Sequence, residues 1–488
     1  MPLPPLRVPS DLVDAEAAAR AGFQSIVEEL DLPERFEEEV LAEAQQAVAD
    51  GPRTSERVDR TDLALVTIDP PGSTDLDQAV WIGARPGGGY RVRYAIADVA
   101  AFVEPGGAID RAARARGVTV YLPDRRVPLH PPTLSEGAAS LLPDGERPAL
   151  LWEIDVDRDG EPDSAHLSRA IVRSRAKLSY EQVQAALDGG TAEEPLRLLA
   201  EVGRLREQRE VDRGGVSLPL PDQQVVRQDG RYALAYRAPL PVEGWNAQIS
   251  LLAGICAAEL MLEAGRGVLR TLPPPGPETI DTLRRHAAAL DVRWPERAAY
   301  PEAIRGLDVS RPTHAAFATQ AARLFRGAGY LAFDPSTPAA DLAGARAEHA
   351  AVASAYGHVT APLRRLVDRF ANEVVAAHCA GEEVPEWAAE ALPELPRLMG
   401  SARQREGSAS SRALDLVEAL VLGSRRGDEL AAVVVDLDDR GAQLQLDDPA
   451  VLLRVADDGR HLGERVRLRV LGADPAARQV QVDVLGSA

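Results

Sequence analysis

The chain has 488 residues, 45% of them hydrophobic, which is enough for about three domains with real cores. Its 75 acidic and 55 basic residues give a formal net charge of −20, which argues against a protein that binds nucleic acid through a basic exterior. The two cysteines, Cys256 and Cys379, match neither a zinc site nor a redox pair, and they fit a cytoplasmic protein. The longest apolar run, Ile249 to Leu262, is broken by Glu259 and is short for a membrane span, so we expect a core helix and no membrane contact.

Residues 1–57 form a short acidic segment with a helical pattern. They include 13 acidic and 5 basic residues, and Ser25 to Ala47 alternates apolar and glutamate positions at helical spacing. The net charge of −8 argues against RNA capture by this segment. We therefore expect helices that pack on the following domain or contact another protein, with a small helix-turn-helix-like module as the alternative.

The next segment places three carboxylates around a turn. An apolar run, Leu63 to Ile68, leads into Asp69, and a Pro-Pro-Gly turn separates it from Asp75 and Asp77. Residues two apart in an extended segment share a face, so Asp75 and Asp77 can point together near the strand end that carries Asp69. Such hard oxygen ligands suit Mg²⁺, with Mn²⁺ as a substitute ion, and indicate an enzyme that cleaves phosphodiesters. The alternative is a solvated acidic turn.

Over residues 58–426 the pattern changes from strands to helices. Strand periodicity comes first, at Ala79 to Ala84, Tyr90 to Ala97, Leu150 to Val156 and Ala170 to Ser174. Helical periodicity follows, at Tyr180 to Leu187, Pro195 to Arg213, Glu243 to Ala264, Glu278 to Leu290 and His314 to Phe325. This order predicts an α+β domain with a mixed sheet, from which the carboxylate turn extends.

A second motif, Tyr356 to Asp368, lies far downstream. Pro362 fits the first turn of a helix, with Thr360 or Ala361 near the cap. A helix N-terminus and arginine side chains both favour phosphate oxygens. Arg364 and Arg365 are therefore candidates for stabilising charge on a reacting phosphate. The alternative is a surface helix whose arginines pair with nearby acids.

Residues 427–488 have a different pattern, with five short alternating strands. The predicted strands are Leu430 to Leu437, Ala442 to Leu446, Val451 to Val455, Arg465 to Leu471 and Gln479 to Val484. Five strands in about sixty residues suit an OB-fold-like barrel. The segment is acidic and has no aromatic residue for stacking a base, so a structural barrel and an RNA clamp both stay open.

Together the two motifs resemble the RNB domain of the RNase II/RNase R family. That family carries an Asp followed by Asp at plus six, plus eight and plus nine, and its second motif reads roughly Tyr-x-His-Phe-Thr-Ser-Pro-Ile-Arg-Arg-Tyr-x-Asp. The matching positions are Asp69, Asp75, Asp77 and Gln78, and then Tyr356, His358, Thr360, Pro362, Arg364, Arg365 and Asp368. The resemblance spans residues 59 to 420, with further matches at Tyr94 to Ala100 and Val120 to Pro123.

The resemblance implies roles for several residues. It implies that Asp69, Asp75, Asp77 and Gln78 bind one or two Mg²⁺ ions, and that Asp77, Arg364 and Arg365 are catalytic. It also implies RNA contacts at Tyr121, Tyr356, His358, Thr360 and Glu243, although Glu243 fits a helix cap better than an RNA contact. Gln78 replaces the family's fourth carboxylate, which weakens the case for a second metal.

The resemblance also implies a function and an architecture. The expected activity is 3′-to-5′ exonucleolytic hydrolysis of single-stranded RNA to nucleoside 5′-monophosphates, by a monomer that binds no organic cofactor tightly. The family places two cold-shock domains before its catalytic domain, whereas residues 1–57 are too short for them, and it places an RNA-binding OB domain at residues 427–488. Two alternatives remain: an RNA-binding relative that has lost catalysis, and a phosphatase or DNA nuclease that shares only the carboxylate loop.

Overall fold

The computed structural model describes residues 13–53, 56–218, 222–228, 231–237, 239–308, 311–438, 441–446, 451–456 and 459–487. It begins with helices α1 (Val13–Glu29) and α2 (Glu38–Asp50). The helical pattern over Ser25 to Ala47 is interrupted between them, where Asp31 has a φ of 48° and Pro33 has no amide hydrogen to donate. Residues 1–12 and 54–55 of the predicted N-terminal segment lie outside the described residues.

A six-stranded mixed sheet follows, as the sequence pattern predicted. The elements of this part are β1 (Val58–Asp59), β2 (Leu65–Ile68), β3 (Gln78–Ala84), β4 (Tyr90–Ala97), α3 (Ala108–Arg116), β5 (Val120–Tyr121), β6 (Arg126–Val127), β7 (Glu146–Val156) and β8 (Pro162–Leu178). The strand order is β1-β8-β2-β3-β4-β7, and β7 also pairs with β8. The pairings β8–β2–β3–β4–β7–β8 therefore form a closed ring.

The length of β8 makes this closure feasible. Its residues 162–173 pair with β7 in antiparallel register, and its last residues, from Ser174 to Leu178, pair with β2 in parallel register. Both faces of the sheet are buried: Val92, Tyr94 and Ile96 of β4 pack into one cluster, and the alternating alanines of that strand pack into another. The end of β2 is therefore a rigid support for the carboxylate loop.

Helices dominate the middle of the chain. The elements are α4 (Tyr180–Asp188), α5 (Glu194–Arg213), β9 (Asp222–Gln228), β10 (Arg231–Arg237), α6 (Pro241–Glu263), β11 (Gly267–Thr271), α7 (Pro277–Ala289), α8 (Tyr300–Arg305), α9 (Pro312–Ala321), β12 (Gly329–Phe333), β13 (Glu348–His349), β14 (Ser354–Ala355), α10 (Leu366–Ala380), α11 (Glu386–Ala391) and α12 (Leu395–Gly423). Among the described helices, only α6 is long and apolar enough to cross a membrane, and 67% of its most apolar window is buried inside the protein. We interpret α6 as a core helix.

The last segment is a five-stranded antiparallel domain whose strands lie close to the predicted ones. They are β15 (Glu429–Asp438), β16 (Gly441–Leu446), β17 (Leu452–Val455), β18 (Arg465–Asp474) and β19 (Gln479–Ser487), in the order β17-β16-β15-β18-β19. Val433 and Val435 of β15 pack with α7 and α9. This domain is therefore attached to the helical part of the chain by apolar contacts.

The N-terminal helix α1 contacts both helix α12 and the C-terminal domain. Gly22 lies against Leu416 of α12, so closely that a Cβ at this position would be 2.5 Å from a Leu416 methyl carbon. Glu29 accepts hydrogen bonds from Arg412 of α12, at 2.6 Å, and from Arg478 of the last domain. The predicted packing of this segment on the following domain is what the structure shows.

We predict that Glu29→Gln lowers the free energy of unfolding near pH 7 by about 1 kcal/mol, the size expected for a part-exposed ion-pair network. Hydrogen bonds from Arg478 and Ser25, together with the charge of Arg412, lower the pKa of Glu29 from 4.5 to about 2. Because the folded pKa is the lower one, this stabilisation is complete above pH 4.5 and is lost as the pH falls towards 2. Denaturant unfolding across this pH range measures the effect. A difference in the free energy of unfolding between Glu29→Gln and the wild type that does not shrink at acid pH would contradict the role of the Glu29 charge.

Candidate active site

The carboxylate loop is held at the end of strands β2 and β8. Asp69 directly follows β2, and its amide donates a hydrogen bond to the Leu178 carbonyl at 3.1 Å. Lys177, the one lysine in the sequence, donates to the carbonyls of Pro71, at 3.0 Å, and Ser73. These bonds fix the Pro-Pro-Gly turn between Asp69 and Asp75, so the loop has a defined position on the sheet.

Asp77 connects this loop to the second motif. Its Oδ1 accepts a hydrogen bond from the Leu363 amide at 2.8 Å, and its Oδ2 lies 3.2 Å from Nε of Arg364. The carboxylate is buried, whereas 44% of the Arg364 side chain stays exposed. The structure thus brings together two predicted catalytic residues, Asp77 and Arg364.

Burial gives two of the carboxylates unusual proton affinities. It raises the pKa of Asp77 to about 7, and the neighbouring Arg364 only partly offsets this effect. Burial also raises the pKa of Asp69 to about 6, with a further contribution from the charge of Asp75. A bound cation would offset the negative charge that the protein leaves uncompensated here, so these oxygen donors fit Mg²⁺.

Asp75 contacts the β5–β6 hairpin. Its carboxylate accepts a hydrogen bond from the Tyr121 hydroxyl at 2.8 Å and lies 3.2 Å from a terminal nitrogen of Arg126. Within the described residues, no group of three or more His, Cys, Asp or Glu side chains is close enough to hold a metal ion. The predicted ligands Asp69, Asp75 and Asp77 are therefore neighbours that do not form a ligand cluster in this structure, and the ligand set stays a prediction.

Gln78, the fourth predicted ligand, has both ends of its side-chain amide in hydrogen bonds. Its oxygen accepts from the Tyr94 hydroxyl at 2.7 Å, and its nitrogen donates to the Thr360 carbonyl at 2.6 Å. The Tyr94 hydroxyl also lies 2.7 Å from the Ser250 hydroxyl. Gln78 therefore links the sheet to the second motif, a role that the sequence did not suggest.

The second motif differs from its prediction in one respect, because the helix starts later. Helix α10 begins at Leu366, and Pro362 and Arg364 lie in the turn before it. This turn pairs with another segment: the Arg364 carbonyl accepts from the Thr119 amide at 3.0 Å, and the Leu366 amide donates to the Gly117 carbonyl at 2.9 Å. The prediction that Pro362 opens the helix was wrong because this long-range pairing holds the backbone in a non-helical form.

The two arginines of the motif have different surroundings. Arg365 lies 2.7 Å from Asp368, whose buried carboxylate also accepts the Ala361 amide at 2.6 Å. Arg364 is the more exposed of the two and is held by Asp77. We interpret Arg365 and Asp368 as a pair that fixes the turn, and Arg364 as the arginine free to bind a ligand with its terminal nitrogens.

A cavity of about 320 Å³ adjoins these arginines. Its lining is cationic and aromatic, and it consists of Val118, Thr119, Tyr121, Arg270, Tyr330, His349, His358, Arg364, Arg365, Met399, Arg403 and Glu406. Sequence analysis missed Arg270, Tyr330, Arg403 and Glu406, which come from β11, β12 and α12 and belong to no local motif. Asp77 and Asp368 pair with Arg364 and Arg365, while Arg270 and Arg403 face one glutamate in the lining, so the cavity suits an anionic ligand.

The predicted RNA-contacting residues separate into two groups. Tyr121 and His358 line the cavity, whereas Tyr356, Thr360 and Glu243 do not. Tyr356 is 8% exposed and packs on α6 at Gly254, where a Cβ would lie 2.1 Å from its ring. Thr360 is 4% exposed, and Glu243 accepts a hydrogen bond from the Leu240 amide at 2.8 Å at the start of α6. Contact of these three residues with RNA stays a prediction that this arrangement does not favour.

His358 supports the cavity wall rather than acting as a base. Its Nδ1 lies 2.8 Å from the Tyr330 hydroxyl, and its ring meets those of Tyr330 and Tyr356 edge to face. Burial and the charges of Arg365 and Arg270 hold the pKa of His358 well below its usual value. The imidazole is therefore neutral at physiological pH, as suits a hydrogen-bonding residue among arginines.

Comparison with known proteins identifies the class. The RNB domain family matches residues 57–381, and the RNase II-type exonuclease C-terminal S1 domain matches residues 428–485. The chain therefore belongs to the RNB family, and the predicted resemblance and α+β fold with a C-terminal OB-type domain are confirmed.

Particular relatives share much of this chain. It is 29% identical to the exosome complex exonuclease RRP44 homolog A of Arabidopsis thaliana, over 78% of this chain and 42% of that protein. It is 27% identical to ribonuclease R of Escherichia coli, over 80% of this chain and 50% of that protein. The chain thus spans about half the length of these curated relatives.

Solved structures show the same fold. RNase R of Mycoplasma genitalium, in complex with ribose-methylated single-stranded RNA, matches with a TM-score of 0.82 and 18% identity, over 96% of this chain and 78% of that one. Yeast Ssd1, described as a pseudonuclease, matches with a TM-score of 0.71 and 17% identity, over 92% of this chain and 57% of that one. The fold is therefore shared by RNA-binding nucleases and by a protein without nuclease activity.

We predict that Asp77→Asn, in EDTA, gains about 2 kcal/mol in the free energy of unfolding relative to the wild type between pH 4 and pH 8, because only the wild type must carry a buried charge at the higher pH. The folded pKa of Asp77, about 7, exceeds its usual value of 3.8, so the wild type loses stability as the pH rises through 7. The stability of the variant relative to the wild type therefore rises between pH 4 and pH 7 and stays constant above pH 7.

Thermal unfolding in EDTA at several pH values measures this relative stability. The matched control is Asp75→Asn, which breaks the contact with Arg126 and is expected to lower stability instead. A difference in stability between Asp77→Asn and the wild type that stays constant from pH 4 to pH 8 would contradict the assignment.

Proposed function

We propose that this protein is a metal-dependent 3′-to-5′ exoribonuclease that hydrolyses single-stranded RNA to nucleoside 5′-monophosphates. One observation carries the proposal: the buried carboxylate of Asp77 contacts Arg364 at the edge of a cavity lined by four arginines. A phosphodiester undergoing hydrolysis is an anion that a carboxylate-bound metal and arginine donors stabilise together. Membership of the RNB family supports this choice of reaction class.

The cavity accounts for RNA binding by a protein with a net charge of −20. The cavity brings together Arg270, Arg364, Arg365 and Arg403; Asp77 and Asp368 pair with two of them, and most of the 75 acidic residues lie elsewhere in the chain. An arginine side chain presents donors in a fork that matches phosphate oxygens. The terminal nitrogens of Arg364 bind the scissile phosphate, because its Nε is occupied by Asp77.

Tyr121 provides the contact with a base. The residue is 46% exposed at the cavity wall, and its hydroxyl donates a hydrogen bond to Asp75 at 2.8 Å. The exposed ring can stack on the base at the 3′ end, a contact that every base can make. The phosphate and the terminal base are thus bound by residues that lie next to the carboxylate loop.

The site residues would hold Mg²⁺ through Asp69, Asp75 and Asp77. When bound, the ion supplies charge for activating water and for stabilising the leaving oxygen. The Asp75 carboxylate would bind the ion through lone pairs that its contacts with Arg126 and Tyr121 leave unused. Lys177 holds the loop that carries these carboxylates.

A catalytically impaired RNA-binding relative is the second candidate. Gln78 stands where the family has a carboxylate, and its amide is bound by Tyr94 and Thr360. The pseudonuclease Ssd1 has the same fold. This candidate requires RNA to bind in the cavity without being shortened.

The first experiment uses a 5′-labelled single-stranded RNA of about thirty nucleotides, long enough to cover more than one binding site. We expect wild type to shorten it progressively with Mg²⁺ and to stop in EDTA, and we expect Asp77→Asn to lose activity by at least about 10²-fold. RNA that is bound but stays at full length would favour the impaired relative. Full activity of Asp77→Asn at saturating Mg²⁺ would exclude the assigned role of Asp77.

A second prediction separates the two arginines. Arg364→Met should lower kcat by about 10²- to 10³-fold, because a donor to the phosphate is lost, and it should destabilise the fold less than Arg365→Met does, because the more exposed Arg364 compensates Asp77 only in part. Arg365→Met should destabilise the fold by about 3 kcal/mol, because it leaves the buried carboxylate of Asp368 without its partner. Kinetics and thermal unfolding of both variants test this division, and equal stability losses would contradict it.

A further inference from the structure

The hairpin formed by β5 and β6, residues 120–127, carries the side chains that contact Asp75. Tyr121 and Arg126 face each other across this hairpin, and each contacts one oxygen of the Asp75 carboxylate. The hairpin has only two residues in each strand and forms a sheet of its own. A two-stranded hairpin of this size has little stability by itself, so its orientation depends on contacts from elsewhere.

Arg125, in the turn of this hairpin, receives its contacts from the N-terminal segment. One of its terminal nitrogens donates to Gln24 Oε1 at 2.6 Å and to Glu34 Oε1 at 2.7 Å. Its other donors bind Asp124 of the same turn, at 2.8 and 3.1 Å. The guanidinium is thus held between its own turn and helix α1 with the linker after it, and these hydrogen bonds raise the pKa of Arg125.

Further contacts anchor the same linker beside the hairpin. The Arg116 guanidinium stacks on the Phe36 ring at 3.7 Å and donates to the Arg35 carbonyl at 2.7 Å. It also donates to the Pro128 carbonyl, just after β6, at 3.0 Å. The linker between α1 and α2 is therefore fixed to both ends of the β5–β6 hairpin.

We propose that Gln24 and Glu34 are positioning residues that act through Arg125 to hold Tyr121 against the 3′ end of bound RNA. The inference rests on the proposed function, because it takes Tyr121 as the surface on which the terminal base stacks. The N-terminal segment then orients the substrate-binding hairpin without touching RNA, which agrees with its acidic charge. Loss of the Arg125 contacts leaves the hairpin attached but free to tilt away from Asp75.

The test measures RNA binding separately from hydrolysis. A single-stranded RNA with 2-aminopurine as its 3′-terminal base is titrated with protein in EDTA, and both the dissociation constant and the quenching of fluorescence are recorded. We expect Tyr121→Ala to weaken binding about tenfold and to abolish much of the quenching, as for the loss of one stacked base. Gln24→Ala with Glu34→Gln should weaken binding about threefold, the effect of a part-exposed ion pair, and reduce the quenching.

Two controls distinguish positioning from general destabilisation. Glu37→Gln removes the same charge three residues further along, at a side chain that makes no cap hydrogen bond, and should leave binding unchanged. Glu29→Gln releases the segment from the C-terminal domain and should lower thermal stability without changing the quenching. Adding Gln24→Ala and Glu34→Gln to Tyr121→Ala should cause no further loss of binding.

The outcomes separate the two proposals. The positioning role would be overturned if the loss of binding in the Gln24 and Glu34 variant added fully to that of Tyr121→Ala. It would also be overturned if Glu37→Gln weakened binding by the same amount. Wild-type binding and quenching in the Gln24 and Glu34 variant would also overturn it. The two proposals can also fail separately. If the losses of binding in EDTA were not additive but the wild type left RNA at full length with Mg²⁺, the positioning role would stand and the proposed hydrolysis would be excluded.

Discussion

The arrangement of the site depends on the buried carboxylate of Asp77, which accepts hydrogen bonds from Leu363 and Arg364, almost three hundred residues later in the chain. This contact fixes the carboxylate loop against the arginine turn. The next residue, Gln78, repeats the connection through the Thr360 carbonyl. Because the Arg364 carbonyl in turn accepts from Thr119, the same set of bonds reaches the segment that leads into Tyr121.

Burial of that carboxylate also has a cost for the protein. A charge in a poorly solvated place is unfavourable unless a partner compensates it, and Arg364 compensates that of Asp77 only in part. Active sites commonly hold such uncompensated charge, because it is available for binding a cation or a reacting group. The buried charge therefore lowers the stability of this region while it favours binding of a cation. The rigid sheet that includes β2 keeps the carboxylate buried despite this cost.

Much of the fold could be predicted from the sequence, because strands and helices depend on local periodicity. Strands Gln78–Ala84 and Tyr90–Ala97 agree with their predictions within one residue. The Asp77–Arg364 pair could be predicted only through the family resemblance, since no local pattern joins residues so far apart. The start of α10 could not be predicted, because long-range backbone pairing determines it. The burial of Tyr356 could not be predicted either, because it depends on the close approach to Gly254.

The residues that line the cavity could not be predicted from local sequence either. Arg270 and Arg403 come from a strand and a helix whose sequences carry no motif, and they meet only in the folded chain. Composition was misleading for a related reason. A net charge of −20 describes the whole chain, whereas a ligand responds to the few charges that surround it, here four arginines, two of them paired with aspartates, and one glutamate.

Lys177 has a chemical consequence of its own. Because every other basic side chain is arginine or histidine, the Lys177 ammonium group is the single side-chain primary amine in the sequence. Amine-directed acylating or cross-linking reagents therefore have one side-chain target, and it lies beneath the Pro71–Ser73 turn. Acylation there would remove the charge and two of the donors that hold the loop. A reagent that modifies most proteins at many surface positions would therefore modify this protein at one side chain, next to the candidate active site.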